Sequence, residues 1–234
     1  MSPFNWPLIG HHPVKEFLQT AIINNKVAQA YLFVGPKGLG KTTLAKLFIA
    51  SLFCEIGKKS DKKELVPCGA CFHCQQLEKG VHPDVVTLAR AEDKKNIPID
   101  EVRHLLGRLS TTSFLMSYKI ALINGAEDLS EEAANSLLKA LEEPWAKVIF
   151  ILTATDSRML PSTILSRVQT IAFRLVSRET IALALEEKGE GKQNAARLAA
   201  SSLGRPGTAL RLCQEESFDH LSSHLEAFFN FFKG

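Results

Sequence analysis

Five short stretches of this chain are apolar at successive positions: AYLFVG (residues 30–35), DVVTLA (84–89), KIALIN (119–124), KVIFILTAT (147–155) and VQTIAF (168–173). A strand with one face in water alternates apolar and polar residues, whereas an unbroken apolar run suits a strand covered on both faces, as in a parallel sheet. Between the runs the period becomes helical. Residues 41–53 continue from a glycine-rich loop, residues 100–109 begin at Asp100 as a capping residue, and residues 131–143 follow Ser130, with Glu131 and Glu132 where the helix dipole favours carboxylates. Ala134, Leu137, Leu138 and Leu141 share one face of the last of these helices, which stops before Pro144. The alternation predicts a doubly wound α/β domain around a five-stranded parallel sheet.

Beyond about residue 175 only helical periodicity remains. Ser177 is placed to cap a helix reaching about Lys188, and after the loop GEGK two short helices, AARLAASSL and GRPGTALRL, meet at Gly204 to Gly207. This part reads as a small all-helical domain. From Phe218 onward, Leu221, Leu225, Phe228, Phe229 and Phe232 recur at helical spacing, an apolar face that needs a partner or a further domain to pack on.

Composition narrows the class. Hydrophobic residues make up 45% and charged residues 23% of 234, which gives a globular chain with a packed core and room for a small second domain. A net charge of +3 is too small to argue for nucleic acid by itself. The lysine run Lys58, Lys59, Lys62 and Lys63 is interrupted by Asp61 and Glu64, so a solvated loop competes with a nucleic-acid-binding module there. No apolar run approaches the roughly 20 residues that span a bilayer. The start, MSPFNWPLIGHHP, lacks the charge-then-apolar order of a secretory signal, so the chain reads as cytoplasmic.

Two motifs carry chemistry. GPKGLGKTT, from Gly35 through Pro36, Lys37, Gly38, Leu39, Gly40, Lys41 and Thr42 to Thr43, follows an apolar strand and opens a helix. That is the context in which a G-x-x-x-x-G-K-[ST] loop turns backbone N–H groups onto phosphate oxygens, with the lysine on the β and γ phosphates and the threonine hydroxyl on Mg²⁺. A ligand is therefore expected here, ATP or ADP with Mg²⁺. Four of the five cysteines, Cys54, Cys68, Cys71 and Cys74, form the second motif, the last three at C-x₂-C-x₂-C spacing. Four thiolates fill a tetrahedral Zn²⁺ shell and leave no position for water, so the site reads as structural zinc, with an iron–sulfur cluster or unrelated thiols as alternatives. His73 and His82 then read as surface residues outside a filled shell, and Cys213 as a buried small residue.

Several blocks in order, IGHHPVKEFLQTAI, AYLFVGPKGLGKTTLAK, the cysteine module with GVHPDVVTL, KIALINGAEDLSEEAANSLLKALEEP, ILTATDSRMLPSTILSRVQ and GRPGTAL, resemble the AAA+ subunits of the bacterial sliding-clamp loader. The resemblance runs from about residue 8 to about residue 212 and is greater to the delta-prime type than to the ATP-hydrolysing gamma/tau type. It implies an AAA+ domain over residues 1–174 with a zinc module at about 54–74, a helical lid over 175–216, and the start of a truncated or absent helical collar over 217–234. It also implies that the chain is part of the bacterial DNA polymerase III holoenzyme rather than an ATPase on its own. Gamma/tau-like and delta-like subunits would be its partners in a hetero-oligomeric ring, which meets the sliding clamp and primer–template DNA, with no membrane.

The same resemblance assigns roles. The family's strand ends in Asp-Glu, for Mg²⁺ and for activating the attacking water, where this sequence has Asn124 and Gly125. Thr155 matches the first sensor of the γ-phosphate, and Thr208 stands where the second-sensor arginine would be, with Arg205 displaced from it. Ser166 and Arg167 match the Ser-Arg-Cys element, with Val168 for the cysteine, and there the arginine reaches into a neighbour's ATP site. Glu127 and Asp128 read as helix-start residues past the turn, with an active ATPase that uses one of them in place of the missing pair as the alternative.

Overall fold

The computed structural model describes residues 6–55, 66–111, 118–145 and 147–214. The lysine run from Lys58 and the apolar segment from Phe218 lie outside the described residues. In chain order the elements are α1 (His12–Ile23), β1 (Ala30–Val34), α2 (Lys41–Phe53), α3 (Phe72–Glu78), β2 (Val85–Ala89), α4 (Ile99–Ser110), β3 (Lys119–Asn124), α5 (Glu131–Glu142), β4 (Val148–Ala154), α6 (Ser162–Leu165), β5 (Gln169–Ala172), α7 (Arg178–Glu186), α8 (Lys192–Ser201) and α9 (Pro206–Gln214).

The five strands form one parallel sheet in the order β2-β3-β4-β1-β5. Each apolar run has become a strand, but cover on both faces holds only in the middle. β4 is buried throughout, and β1 and β3 are buried except at their last residues. In edge strand β2 only Leu88 is buried, and in edge strand β5 only Ile171. An edge strand lacks a neighbour on one side, so the helices that cover the centre do not reach its outer residues.

On one face of the sheet Leu32, Phe150, Leu152 and Ile123 pack with Leu105 and Leu137 in a single apolar cluster, all nearly solvent-free. Aromatic rings on α2 and β1 mark a second apolar layer: Tyr31 meets Phe48 edge-on at 5.5 Å, and the Trp6 ring lies 6.4 Å from Phe48. The Trp6 indole N–H donates to the Ser51 hydroxyl at 3.0 Å, so the buried polar atom has the partner that burial demands.

Two of the three expected caps are present. Ser130 accepts from the Ala133 N–H, and Ser177 accepts from the Thr180 N–H. Asp100 is not a cap. α4 begins one residue earlier, Pro98 holds the cap position in extended conformation, and Asp100 and Glu101 occupy the first turn as dipole partners.

Contacts divide the chain into two compact units, residues 1–36 with 41–173, and residues 37–40 with 174–234. The second contains α7, α8 and α9, held by buried Ile181, Leu185, Ala195, Leu198, Ala199 and Ala209. Cys213 is half-buried in it, not buried, and its thiol donates to the Glu190 carboxylate at 2.8 Å.

Candidate nucleotide site and metal centre

β1 leads into the glycine loop, and the loop's residue types follow from how closely the backbone is approached. The Gly35 N–H donates to the Ala154 carbonyl at 3.1 Å, and a Cβ on Gly35 would stand 2.5 Å from the Phe173 carbonyl oxygen. Gly38 and Gly40 have φ of 84° and 85°, in the left-handed region that favours glycine. Pro36 and Lys37 are exposed, whereas the Leu39 side chain is wholly buried, so Leu39 can offer a ligand only its backbone. In the second unit the Gly207 N–H donates to the Gly38 carbonyl at 2.7 Å, and Thr208 Oγ1 lies 2.9 Å from where a Gly38 Cβ would be.

Lys41 and Thr42 open α2. The Lys41 ammonium is nearly buried and donates to the Gly35 carbonyl at 2.5 Å and the Pro36 carbonyl at 2.9 Å. Thr42 Oγ1 donates to Asn124 Oδ1 at 3.0 Å, while Thr43, one residue on, is exposed. The threonine expected to meet the metal is thus held by a neutral amide at the end of β3.

The turn after β3 departs from the sequence reading. Gly125 has φ of 77° and donates its N–H to Thr153 Oγ1 at 3.1 Å. Ala126–Asp128 is a single 3₁₀ turn. It folds the chain back so that Glu127 Oε1 accepts from both the Thr155 N–H (2.9 Å) and the Thr155 hydroxyl (2.7 Å). Glu127 does start a short helix past the turn, and it also touches a predicted site residue, Thr155. Its other oxygen, Oε2, is buried and has no hydrogen-bond partner among the described residues. Asp128 points elsewhere and pairs with Arg90 at 3.3 Å. The signal in sequence was a three-residue turn, AED, before the capping Ser130, too short to carry Glu127 away from the strand ends.

Arg167 sits between α6 and the start of β5. Its Nη1 donates to the Thr163 carbonyl at 2.7 Å and the Ser166 hydroxyl at 2.9 Å, and its Nη2 pairs with Glu142. It borders a cavity of about 230 Å³ with Gln29, Leu141, Pro144 and Phe150. All strands are parallel, so Arg167 lies at the sheet edge where strands begin, and Gly35 and Lys41 lie where they end. A strand of five residues separates these edges by roughly 16 Å. Arg167 and the phosphate loop of the same chain are not one site.

The four cysteines do converge. Their sulfurs all lie within 4.8 Å of one another, with Cys68 and Cys74 at 4.0 Å. Ligands at about 2.3 Å around a tetrahedral ion would be about 3.8 Å apart, so the cluster has the size of a single-ion shell. The Cys68 N–H points at the Cys54 sulfur (3.4 Å) and the Cys71 N–H at the Cys68 sulfur (3.3 Å). Burial above all, with the neighbouring thiols Cys71 and Cys54, pushes the Cys74 thiol up to about 12. A cation bound among the four sulfurs would favour the thiolate form instead.

His73 and His82 are not surface residues. His82 is 2% exposed, and both rings lie against Phe53, at 6.0 and 4.4 Å. His82 Nδ1 accepts from the Asp84 N–H, His82 Nε2 meets His73 Nδ1 at 3.1 Å, and His73 Nε2 faces Glu55 at 3.3 Å. One set of neutral tautomers satisfies every link, with each Nε2 carrying the proton. Sequence reasoning stopped at the filled metal shell and missed that the histidines pack against Phe53 and each other.

The family model described as "DNA polymerase III, delta subunit" matches residues 10–177, more than half of the chain. The chain belongs to the DNA polymerase III delta-subunit family. It is 40% identical over 191 residues to the DNA polymerase III subunit delta' of Pseudomonas aeruginosa, which covers 79% of this chain and 56% of that protein. It is 34% identical over 174 residues to subunit tau of Bacillus subtilis and 35% identical over 174 residues to subunit gamma of Buchnera aphidicola, covering 30% and 46% of those proteins. The chain thus spans about half or less of the length of these relatives. A solved structure of the Thermotoga maritima RuvB Holliday junction branch migration motor matches with a TM-score of 0.59 at 18% identity, over 88% of this chain and 61% of that one. At such identity the likeness is one of fold, and the fold is the AAA+ P-loop fold. The resemblance to delta-prime-type AAA+ subunits is borne out for this DNA polymerase III delta-family chain. No helix among its described residues is long and apolar enough to cross a membrane.

Proposed function

We propose that this chain is a delta-prime-like subunit of the DNA polymerase III clamp loader that grips ADP or ATP at residues 35–43 with little turnover of its own. The bond from Thr42 to Asn124 carries this reading. An amide stands where Mg²⁺ chemistry calls for a carboxylate, and Gly125 beside it has no side chain to act as base, a loss typically worth about 10² to 10⁴ in rate. The loop's glycines and Lys41 are those of a phosphate cradle, so binding outlives the chemistry. Arg167 would act in trans on a neighbouring gamma/tau-like subunit, with its distance from its own loop in support. Such fingers contribute about 10³ to 10⁵ in rate. The four cysteines would hold structural Zn²⁺. Residues 1–174 would form the nucleotide domain and 175–216 its lid, in a ring with gamma/tau-like and delta-like subunits that meets the sliding clamp and primer–template DNA.

The test is ATP turnover of the purified chain alone and after mixing with a gamma/tau-type subunit. Turnover alone should be near background. In the mixture Arg167→Ala should cut turnover at least tenfold while nucleotide binding by the Arg167→Ala chain stays unchanged. Turnover by the chain alone that Lys41→Ala abolishes overturns the proposal. One observation favours a second reading, an active ATPase: Glu127 touches Thr155 and keeps one oxygen without a partner, as a base awaiting water would. That reading requires turnover by the chain alone, lost in Glu127→Ala.

A further inference from the structure

The Glu127–Thr155 contact has chemistry beyond a missing base. Thr155 follows Ala154, whose carbonyl takes the Gly35 N–H, so Thr155 stands beside the entrance of the phosphate loop. β4 and β1 are neighbours in register up to Ala154 and Val34. In an open parallel sheet, ligands lie outside the carboxyl ends of the strands. The phosphates of a nucleotide held by residues 35–43 would therefore extend past Lys41 toward Asn124 and Thr155, with the terminal phosphate outermost.

What waits there is electrostatically unusual for a phosphate site. A hydroxyl has a single proton to donate, and that of Thr155 goes to Glu127 Oε1, as does the Thr155 backbone N–H. The two natural donors at this strand end are thus consumed by a carboxylate. The remaining carboxylate oxygen is buried, has no hydrogen-bond partner among the described residues, and can only accept. Asn124 turns its own acceptor oxygen to Thr42, so the Thr42 hydroxyl proton is also committed. Of the strand-end side chains that flank the loop, Asn124 keeps only its amide N–H donors, whereas Glu127 meets a phosphate with an acceptor and negative charge. The glycine N–H groups would serve the inner phosphates and the Lys41 ammonium the β and γ phosphates, so the Glu127 carboxylate opposes Lys41 only where a γ-phosphate reaches Thr155.

We propose that Glu127 makes this a diphosphate-selective site, accepting ADP and disfavouring ATP, by holding the Thr155 hydroxyl proton and setting a carboxylate against a γ-phosphate. This rests on the proposed reading of residues 35–43 as a nucleotide site. It assigns the chain a fixed, ADP-like post rather than a cycling one.

The experiment is titration of the full chain with fluorescent ADP and with a fluorescent non-hydrolysable ATP analogue, each with Mg²⁺. ADP should bind more tightly by about tenfold, the scale of one like-charge contact of about 1.4 kcal/mol. Glu127→Gln keeps an acceptor for Thr155 and removes the charge, so it should tighten the triphosphate at least fivefold and leave ADP within twofold. Thr155→Val removes the hydroxyl and keeps the charge, so selectivity for ADP should persist. That outcome separates the electrostatic role of Glu127 from mere support of the turn, which either variant would disturb equally. Equal affinity of the unaltered chain for both nucleotides, or a Glu127→Gln change that moves both together, overturns the inference while leaving nucleotide binding intact. Binding of neither nucleotide overturns both this inference and the reading beneath it.

Discussion

Gly125 offers the sharpest physical test, because its replacement cannot be undone by restoring a side chain. Its φ of 77° lies in the left-handed region, and an added Cβ would stand 2.8 Å from Asp128 Oδ2. The left-handed backbone costs an L-residue about 1–2 kcal/mol. The contact adds to this unless Asp128 gives way, and Asp128 is held at 3.3 Å by Arg90. For a unit of this size each kcal/mol moves the melting temperature by about 2–4 °C, so Gly125→Ala should melt about 2–8 °C lower by differential scanning calorimetry. Asp128→Ala alone loses only a half-exposed ion pair, worth at most about 1 kcal/mol. The two changes together should cost less than their sum, by the share of the contact that Asp128 imposes. The functional corollary is that Asn124→Asp with Gly125→Glu restores the letters of a hydrolytic strand end without its geometry. Turnover should rise far less than the about 10²-fold that a placed base supplies at minimum. Gly125→Ala melting with the unaltered chain, or the double restoration reaching that gain, would refute the reasoning.

Metal and pH supply the remaining tests. With an ion bound, native protein should show one thiol reactive to a colorimetric disulfide reagent, Cys213; after chelation and unfolding all five cysteines should react, with one equivalent of metal released, and Cys71→Ser should abolish its retention. Burial first, then His73, pushes the His82 imidazole down from 6.5 to about 4, with Asp84 opposing. A depressed folded value means that the unfolded chain takes up a proton the native state refuses, so His82 costs nothing above about pH 6.5 and destabilises progressively as pH falls toward 4. His82→Asn should flatten the fall in melting temperature across that window.

How far the sequence spoke for itself varies with the range of the interaction. Unbroken apolar runs marked all five strands, and Ser130 and Ser177 marked two helix starts, because both signals live within a few residues of where they act. The phosphate loop and the four cysteines were readable for the same reason: their spacing is the chemistry. The exposed outer residues of β2 and β5 were not, since edge position depends on the strand order and not on the strand. The same holds for Glu127, turned onto Thr155, which lies 28 residues further on. His82 behind Phe53 and Arg167 a strand's length from its own loop also required the assembled sheet. Residue types and local spacing determined which chemistry this chain carries; only the tertiary structure decided which groups face each other, because hydrogen bonds and burial join positions that no local pattern relates.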